Sequence, residues 1–469
     1  MSDTLMNISP VDGRYERYTK PLRQIMSEYG LIKYRVEVMV RYVLALGAQA
    51  DIPLQLGAAD AEKLEGILRA FAPEDAAAIK QLETKGWNDI LATNHDVKSC
   101  ELWLRWKFDQ LGLGGIVEWI HFGSTSEDVN NIAYGLMLRD GVDALMGSLE
   151  PAVAWIQDSA TRCADMPMLA RTHGQPATPT TLGKEFAVFE ARLRRQMQQV
   201  GALKLSLKLN GATGNYAAMH AAFPNVDWPK FAQAFIESGT HLRKGLHLSF
   251  AFNPLTTQIE PHDTYAELFA VLKRLNTILV DFSQDMWRYI SDDWIVQKPV
   301  AGEVGSSAMP HKVNPISFEN AEGNLQIANW LMEGCCRKLP VSRMQRDLSD
   351  STVARVFGTI FGHCIVGYEN LRAGMNKVSP NAEKIRLALL EHPEVLAEAY
   401  QTILRSKGYP NAYDALKSLS RGAKITIADL HAFVDGLDEK FVDAATKQRM
   451  KEIMPDTYFG LAPSLVRGG

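Results

Sequence analysis

The stretch DTYAELFAVLKRLNTILVDFSQDMWRYISDDWIVQK, residues 263–298, decides the fold. It contains neither Pro nor Gly, the residues that most often interrupt a helix. Within it Leu268, Leu272, Leu275, Leu279, Phe282, Met286 and Tyr289 recur at alternating steps of four and three. The stripe runs for at least about 22 residues, roughly 33 Å at the helical rise of about 1.5 Å per residue. A stripe of that length cannot be buried by its own helix, so it predicts a bundle with partner helices, drawn from this chain or from other subunits. Phe186, Phe189, Leu193, Val200, Leu203 and Leu207 form a comparable stripe, predicted to lie on an earlier long helix.

Working outward, the chain of 469 residues is too long for one small core. Residues 1–113 alternate helical segments with turns, and one helical run is expected from about Leu22 to Leu46. After Leu371 the pattern shortens into small helices broken at Ser379-Pro380, His392-Pro393, Gly408-Tyr409-Pro410 and Arg421-Gly422. The expected fold is therefore all-α, with three helical domains: 1–113, a central long-helix bundle with functional loops at 114–370, and 371–469. Its net charge of -4 advertises neither nucleic acid nor an anionic membrane, so any anion site must be local. No run approaches about 18 uninterrupted apolar residues, and Met1-Ser2-Asp3-Thr4 is no signal pattern, which makes the expected location cytoplasmic. Cys100, Cys163, Cys335, Cys336 and Cys364 lack C-x-x-C spacing and read as reduced core residues, not metal ligands. The phosphate-loop, zinc-protease and dinucleotide motifs are likewise missing from the sequence.

Five polar clusters interrupt this helical background. Arg14 and Tyr15 follow a turn-rich entry and read either as an anchor for an acidic group or as solvated side chains. Thr93-Asn94-His95-Asp96 places an imidazole where a helix cap is expected, and local hydrogen bonding alone explains it. His121-Phe122-Gly123-Ser124-Thr125-Ser126-Glu127-Asp128 precedes an apolar run, with Thr125 and Asp128 spaced as a capping box. The resulting helix N-terminus offers free N–H groups to a carboxylate, although capping alone accounts for the residues. In Arg171-Thr172-His173-Gly174-Gln175-Pro176-Ala177-Thr178-Pro179, two prolines and a glycine hold His173 outside regular helix. An imidazole fixed in that way is a candidate proton donor. Arg343, Arg346, Ser351, Thr352 and Arg355 bring guanidinium groups and hydroxyls together as a phosphate requires, whereas pairing with Asp347 and Asp350 is the plainer alternative.

The remaining unusual segment is Gly302-Glu303-Val304-Gly305-Ser306-Ser307-Ala308-Met309-Pro310-His311-Lys312-Val313-Asn314-Pro315. Its glycines and prolines suit neither helix interior nor packed strand, while its hydroxyls, cation and amide suit an anion. The run from Gly305 to Asn314 resembles the signature G-S-S-x-M-P-x-K-x-N of the fumarase/aspartase superfamily. His121 to Asp128 and Thr172 to Pro176 resemble the other two active-site segments of that superfamily, in the same order. Arg14-Tyr15, Thr93 to Asp96, Arg171 to Pro176, Gln258 to Asp263 and Arg346 to Arg355 are similar to its purine-nucleotide branch, so the resemblance covers nearly the whole chain. Gly239 to Phe250 departs from it by being longer than the resemblance implies before Asn253-Pro254.

The resemblance implies a homotetramer with shared active sites, no cofactor and no metal, and release of fumarate from a succinylated purine nucleotide. Ser306 is then the base, His173 the acid and Lys312 a stabiliser of developing charge, with Glu319 orienting the His173 ring. It also implies that Arg14, Tyr15, Asn94, His95, Asp96, His121, Thr125, Ser126, Gln258, Asn314, Asn320, Arg346, Ser351 and Arg355 bind substrate. One alternative keeps the elimination but changes the leaving group to arginine, ammonia or water. Arg346, Ser351 and Arg355 argue against it, because those substrates carry no phosphate. The other alternative is a helical scaffold whose polar loops are merely caps and turns.

Overall fold

The computed structural model describes residues 4–243, 245–298, 309, 312–420 and 425–468. Helices dominate, and the longest are Ser126–Arg162, Asp263–Ser291, Ile316–Lys338, Leu182–Ala202, Glu28–Gly47 and Phe357–Met375. The expected stripe lies on Asp263–Ser291, where Leu268, Leu272, Leu275, Leu279, Phe282 and Met286 are each 0% exposed. Among the described residues, three pairs of short strands accompany the helices: Pro167–Thr172 with Gln175–Thr181, Lys204–Leu207 with Ser249–Phe252, and Ile295–Gln297 with Val378–Pro380. Two expectations are corrected here. The helix carrying the earlier stripe ends at Ala202, so Leu207 is buried on a strand instead. The run from Leu22 to Leu46 is broken at Ser27, whose hydroxyl caps the helix Glu28–Gly47 by accepting from the Gly30 amide.

Contacts divide the chain into two compact units. The first comprises Met1–Glu150, Arg195–Val280 and Asn320–Asn370, and the second Pro151–Arg194, Asp281–Glu319 and Leu371–Gly469. Both follow from long helices that run on through the division points. In the first unit, buried polar pairs fix helix register: the Tyr368 hydroxyl donates to Asn276 Oδ1 (2.7 Å), and His363 Nδ1 lies 2.8 Å from Asn324 Oδ1. Asp128 Oδ2 accepts from the Thr125 amide at 2.8 Å, as the capping spacing predicts. Its other oxygen lies 2.8 Å from Lys208 Nζ, with both side chains wholly buried. The segment after Gly239 is held by Asp143, which accepts from the amides of Leu246 and His247 (3.1 Å each).

In the second unit Gly183 lets the helix Leu182–Ala202 start against the end of Ser126–Arg162, since a Cβ there would lie 2.4 Å from the Ala160 carbonyl oxygen. The small helices after residue 381 enclose their own core of Leu396, Tyr400, Leu404, Leu416, Leu430, Val434, Val442 and Met450. Asp285 is half-buried in this unit; burial, then Asp281 and Glu185, push its carboxyl up to about 6. The folded state therefore holds a proton that the unfolded chain has already lost, and stability falls as pH rises through that range. Asp285→Asn is expected to raise stability at pH 8 by about 1 kcal/mol, the shift being discounted for partial exposure, with no gain near pH 4. Thermal melts at the two pH values check this.

Candidate active site

The first unit holds a cavity of about 490 Å³. Asn94, His95 and Asp96 reach it from the start of the helix Asp96–Gln110, and Thr125 and Ser126 from the start of Ser126–Arg162. Gln258 comes from the loop before the central helix, and Arg346, Ser351 and Arg355 from the segment around the short helix Ser349–Ala354. Nine of the residues expected from sequence are thus gathered in one place from four separate segments. A second cavity of about 320 Å³ shares Arg35, Asp96, Tyr134 and Arg355 with it.

Hydrogen bonds hold these groups in fixed poses. His95 caps its helix, its Nδ1 accepting from the Lys98 amide at 3.3 Å, so the local role inferred from sequence is real and coexists with a place in the cavity wall. Arg346 donates through Nη1 to Gln258 Oε1 (3.1 Å) and meets Glu127 Oε2 through Nη2 (3.1 Å). Arg355 donates to the Ser351 carbonyl oxygen at 3.2 Å. Arg343, by contrast, pairs with Asp347 at 3.7 Å and is largely exposed, so the plainer reading of the arginine cluster holds for that residue. Burial works against ionised Asp96, but Arg35 at 2.7 Å and the Val97 amide hold its carboxyl below the usual range.

Several lining residues were not singled out as binding residues in the sequence: Arg35, Glu127, Asn130, Tyr134, His262, Tyr265 and Asp350. Among the described residues, Glu127, His262 and Asp350 form a close, buried set in which one polar atom from each lies within 4.8 Å of the others. The guanidinium of Arg346 already supplies positive charge there. Burial pushes the Glu127 carboxyl up to about 7 and the His262 imidazole down to about 4.

The other expected residues lie elsewhere. Arg14 is exposed, Tyr15 half-buried, and neither lines this chain's cavity. His121 Nδ1 lies 2.6 Å from the Ser124 hydroxyl, and burial lowers its proton affinity. Asn320 accepts from Asn324 Nδ2. In the second unit, His173 is exposed at a two-residue turn joining the strands Pro167–Thr172 and Gln175–Thr181. The φ values of His173 and Gly174 are 53° and 74°, so both are positive, as a type I′ hairpin turn requires. The rigid loop expected there is thus a hairpin tip. Glu319 Oε1 accepts from Trp287 Nε1 at 3.1 Å. Lys312 is exposed and Asn314 half-buried, beside Val313, whose carbonyl oxygen accepts from Gln297 at 2.9 Å. Ser306 lies outside the described residues.

Long helices carry the polar segments that wall this cavity, with Arg346 and Arg355 on one side of it. The family described as "Lyase" matches residues 13–328, and the family "Adenylosuccinate lyase C-terminal" matches residues 342–459. Two solved structures share the fold. A fumarate lyase from Mesorhizobium sp. BNC1 has a TM-score of 0.72 at 18% identity, covering 96% of this chain and 97% of its own. A 3-carboxy-cis,cis-muconate lactonizing enzyme from Pseudomonas putida has a TM-score of 0.69 at 20% identity, covering 95% of each. Adenylosuccinate lyases from Escherichia coli K12 and Haemophilus influenzae are each 44% identical to this chain, over 99% of it and 98% of their own length. This chain belongs to the adenylosuccinate lyase family and is a carbon–nitrogen lyase.

Proposed function

We propose that the chain eliminates fumarate from adenylosuccinate, giving AMP, and from succinyl-aminoimidazole carboxamide ribotide, giving the free amide, in purine nucleotide biosynthesis. The observation that carries this reading is the cavity in which Arg346, Ser351 and Arg355 face Asn94, His95, Asp96, Thr125, Ser126 and Gln258. Two guanidinium groups and a hydroxyl suit a phosphate. Thr125 and Ser126, at the start of a 37-residue helix, suit a succinyl carboxylate.

In the proposed reaction Ser306 takes the Cβ proton, and the electron pair left behind builds a second negative charge on the adjacent carboxylate. Fixed N–H donors and Lys312 stabilise that charge where water is excluded. A hydroxyl is a weak base, so Ser306 must first pass its own proton to solvent and act as an alkoxide that neighbouring donors stabilise. The Cα–N bond then breaks as the carbon–carbon double bond forms, and His173, oriented by Glu319, protonates the departing nitrogen. Arg14, Tyr15, His121, Asn314 and Asn320 complete the substrate contacts in this proposal, and no cofactor is required.

The same reading has the chain work in the cytoplasm as a homotetramer with shared sites and three functional divisions, 1–113, 114–370 and 371–469. Apolar side chains left in the open on the long helices support assembly: Trp330 is 69% exposed and Trp287 44%. Mixing inactive Ser306→Ala and His173→Ala proteins under subunit exchange is expected to restore part of the activity. Efficient exchange without recovery would mean that one chain supplies both residues. An ultraviolet assay against adenylosuccinate, argininosuccinate, aspartate and malate tests the reaction itself. Fumarate is expected from the first alone; turnover of another substrate in its place would reassign the leaving group.

A further inference from the structure

In the wall of the cavity, beside Arg346, sits a buried set that the proposed chemistry leaves unused. Glu127 comes from the first turn of Ser126–Arg162, His262 from the residue preceding Asp263–Ser291, where φ is +63°, and Asp350 from Ser349–Ala354. They are 3%, 5% and 6% exposed, with one polar atom from each within 4.8 Å of the others. Two polar atoms of these residues, His262 Nδ1 and Asp350 Oδ1, are buried without a hydrogen-bond partner. Groups from every side act on Glu127: Arg346 at 3.1 Å, Asp350, Lys208 beyond the strand Lys204–Leu207, the Asn130 amide, and the hydroxyls of Tyr134 and Tyr265. Asp263 and the Leu339 backbone face His262. Lys208 is itself 2.8 Å from Asp128, so Arg346 is the guanidinium in direct contact with Glu127.

We propose that Glu127 is a positioning residue for Arg346, and that its carboxylate takes up a proton from solvent when a nucleotide phosphate docks on that guanidinium. The proposal rests on the reading of Arg346 as a phosphate ligand. An O–H bond forms on Glu127, a buffer acid supplies the proton, and no other bond changes. Glu127 suits this role because burial pushes its carboxyl up to about 7, so both forms are populated near neutral pH. An incoming dianion competes for Arg346 and adds negative potential, and both effects favour the protonated form. His262, pushed down to about 4, stays neutral and cannot respond in the same range. Nucleotide binding is thereby linked to pH, weakening as pH rises through the Glu127 range.

The test is calorimetric titration of the full-length protein with AMP at pH 7.5, in two buffers of different ionisation enthalpy. AMP's own phosphate, with a second pKa of about 6, is already a dianion there and can only release protons on binding. The expected result is uptake of about half a proton per site with AMP and none with adenosine. Glu127→Gln keeps an acceptor for Arg346 but cannot ionise, and is expected to bind AMP without uptake. Its KM should stay flat between pH 7 and 8.5, where the wild-type value rises. Glu127→Ala, which no longer holds Arg346, should raise KM by about tenfold with a smaller loss in kcat. Binding of AMP without proton uptake by the wild type overturns the proposal, whatever the variants do, and so does equal uptake by Glu127→Gln. Failure of AMP to bind at all would instead sink the phosphate reading, and this inference with it.

Discussion

Ser306→Ala and His173→Ala are each expected to lose at least about 100-fold in kcat while the protein stays folded. The reason is chemical. Each step of the proposed elimination moves one proton, and alanine can neither accept nor donate it. For His173 the folding control is favourable, because the side chain is exposed at a hairpin tip and its removal leaves no cavity. The positive φ of 53° adds a consideration, since alanine is disfavoured there. His173→Asn is the better second variant: asparagine tolerates that backbone but cannot exchange a proton near neutral pH. Both variants should show the same loss at saturating substrate, with circular dichroism unchanged. Turnover within a few-fold of wild type in either Ser306→Ala or His173→Asn removes that residue from its role.

Arg346→Ala and Arg355→Ala are expected to lower kcat/KM for adenylosuccinate by roughly 10- to 150-fold each, since a charge-assisted hydrogen bond contributes about 1.5–3 kcal/mol. The two arginines are held differently. Arg346 is fixed by Gln258 and Glu127, so its loss also strands a buried carboxylate. Arg355 meets a backbone carbonyl and can be removed without stranding an acid. The loss specific to the phosphate is isolated by repeating each measurement with the dephosphorylated nucleoside, which lacks the proposed partner. Both variants should cost much more with the nucleotide, and the ratio of ratios gives the coupling. Equal losses on both substrates would make the arginines supports of the fold, not phosphate ligands.

What could be read from the sequence was what repeats or lies close together. The stripe from Leu268 to Met286 was legible because a helix of 29 residues keeps its period along its whole length. The Thr125–Asp128 cap was legible because its partners are three residues apart. The salt bridge between Asp128 and Lys208, two wholly buried charges, was not, since 80 residues separate them and nothing local marks the lysine as buried. The set of Glu127, His262 and Asp350 was hidden for the same reason, being drawn from three elements. The hairpin around His173 was concealed by its own composition. Pro176 and Pro179 argue against a strand, and His-Gly is not among the usual type I′ pairs, although the strands pair from Pro167 with Thr181 to Thr172 with Gln175. Leu207 continued a helical spacing by coincidence beyond the end of its helix at Ala202. The signature from Gly305 to Asn314 pointed to the family correctly, because that resemblance depends on residue types in order and not on their conformation.

Product analysis tests most directly whether this protein breaks the carbon–nitrogen bond of adenylosuccinate. Purified protein is incubated with adenylosuccinate, and substrate, AMP and fumarate are quantified by chromatography over time. One AMP and one fumarate are expected for each adenylosuccinate consumed, with no cofactor added. Folded protein that leaves adenylosuccinate intact, or that consumes it without releasing fumarate, would contradict that expectation.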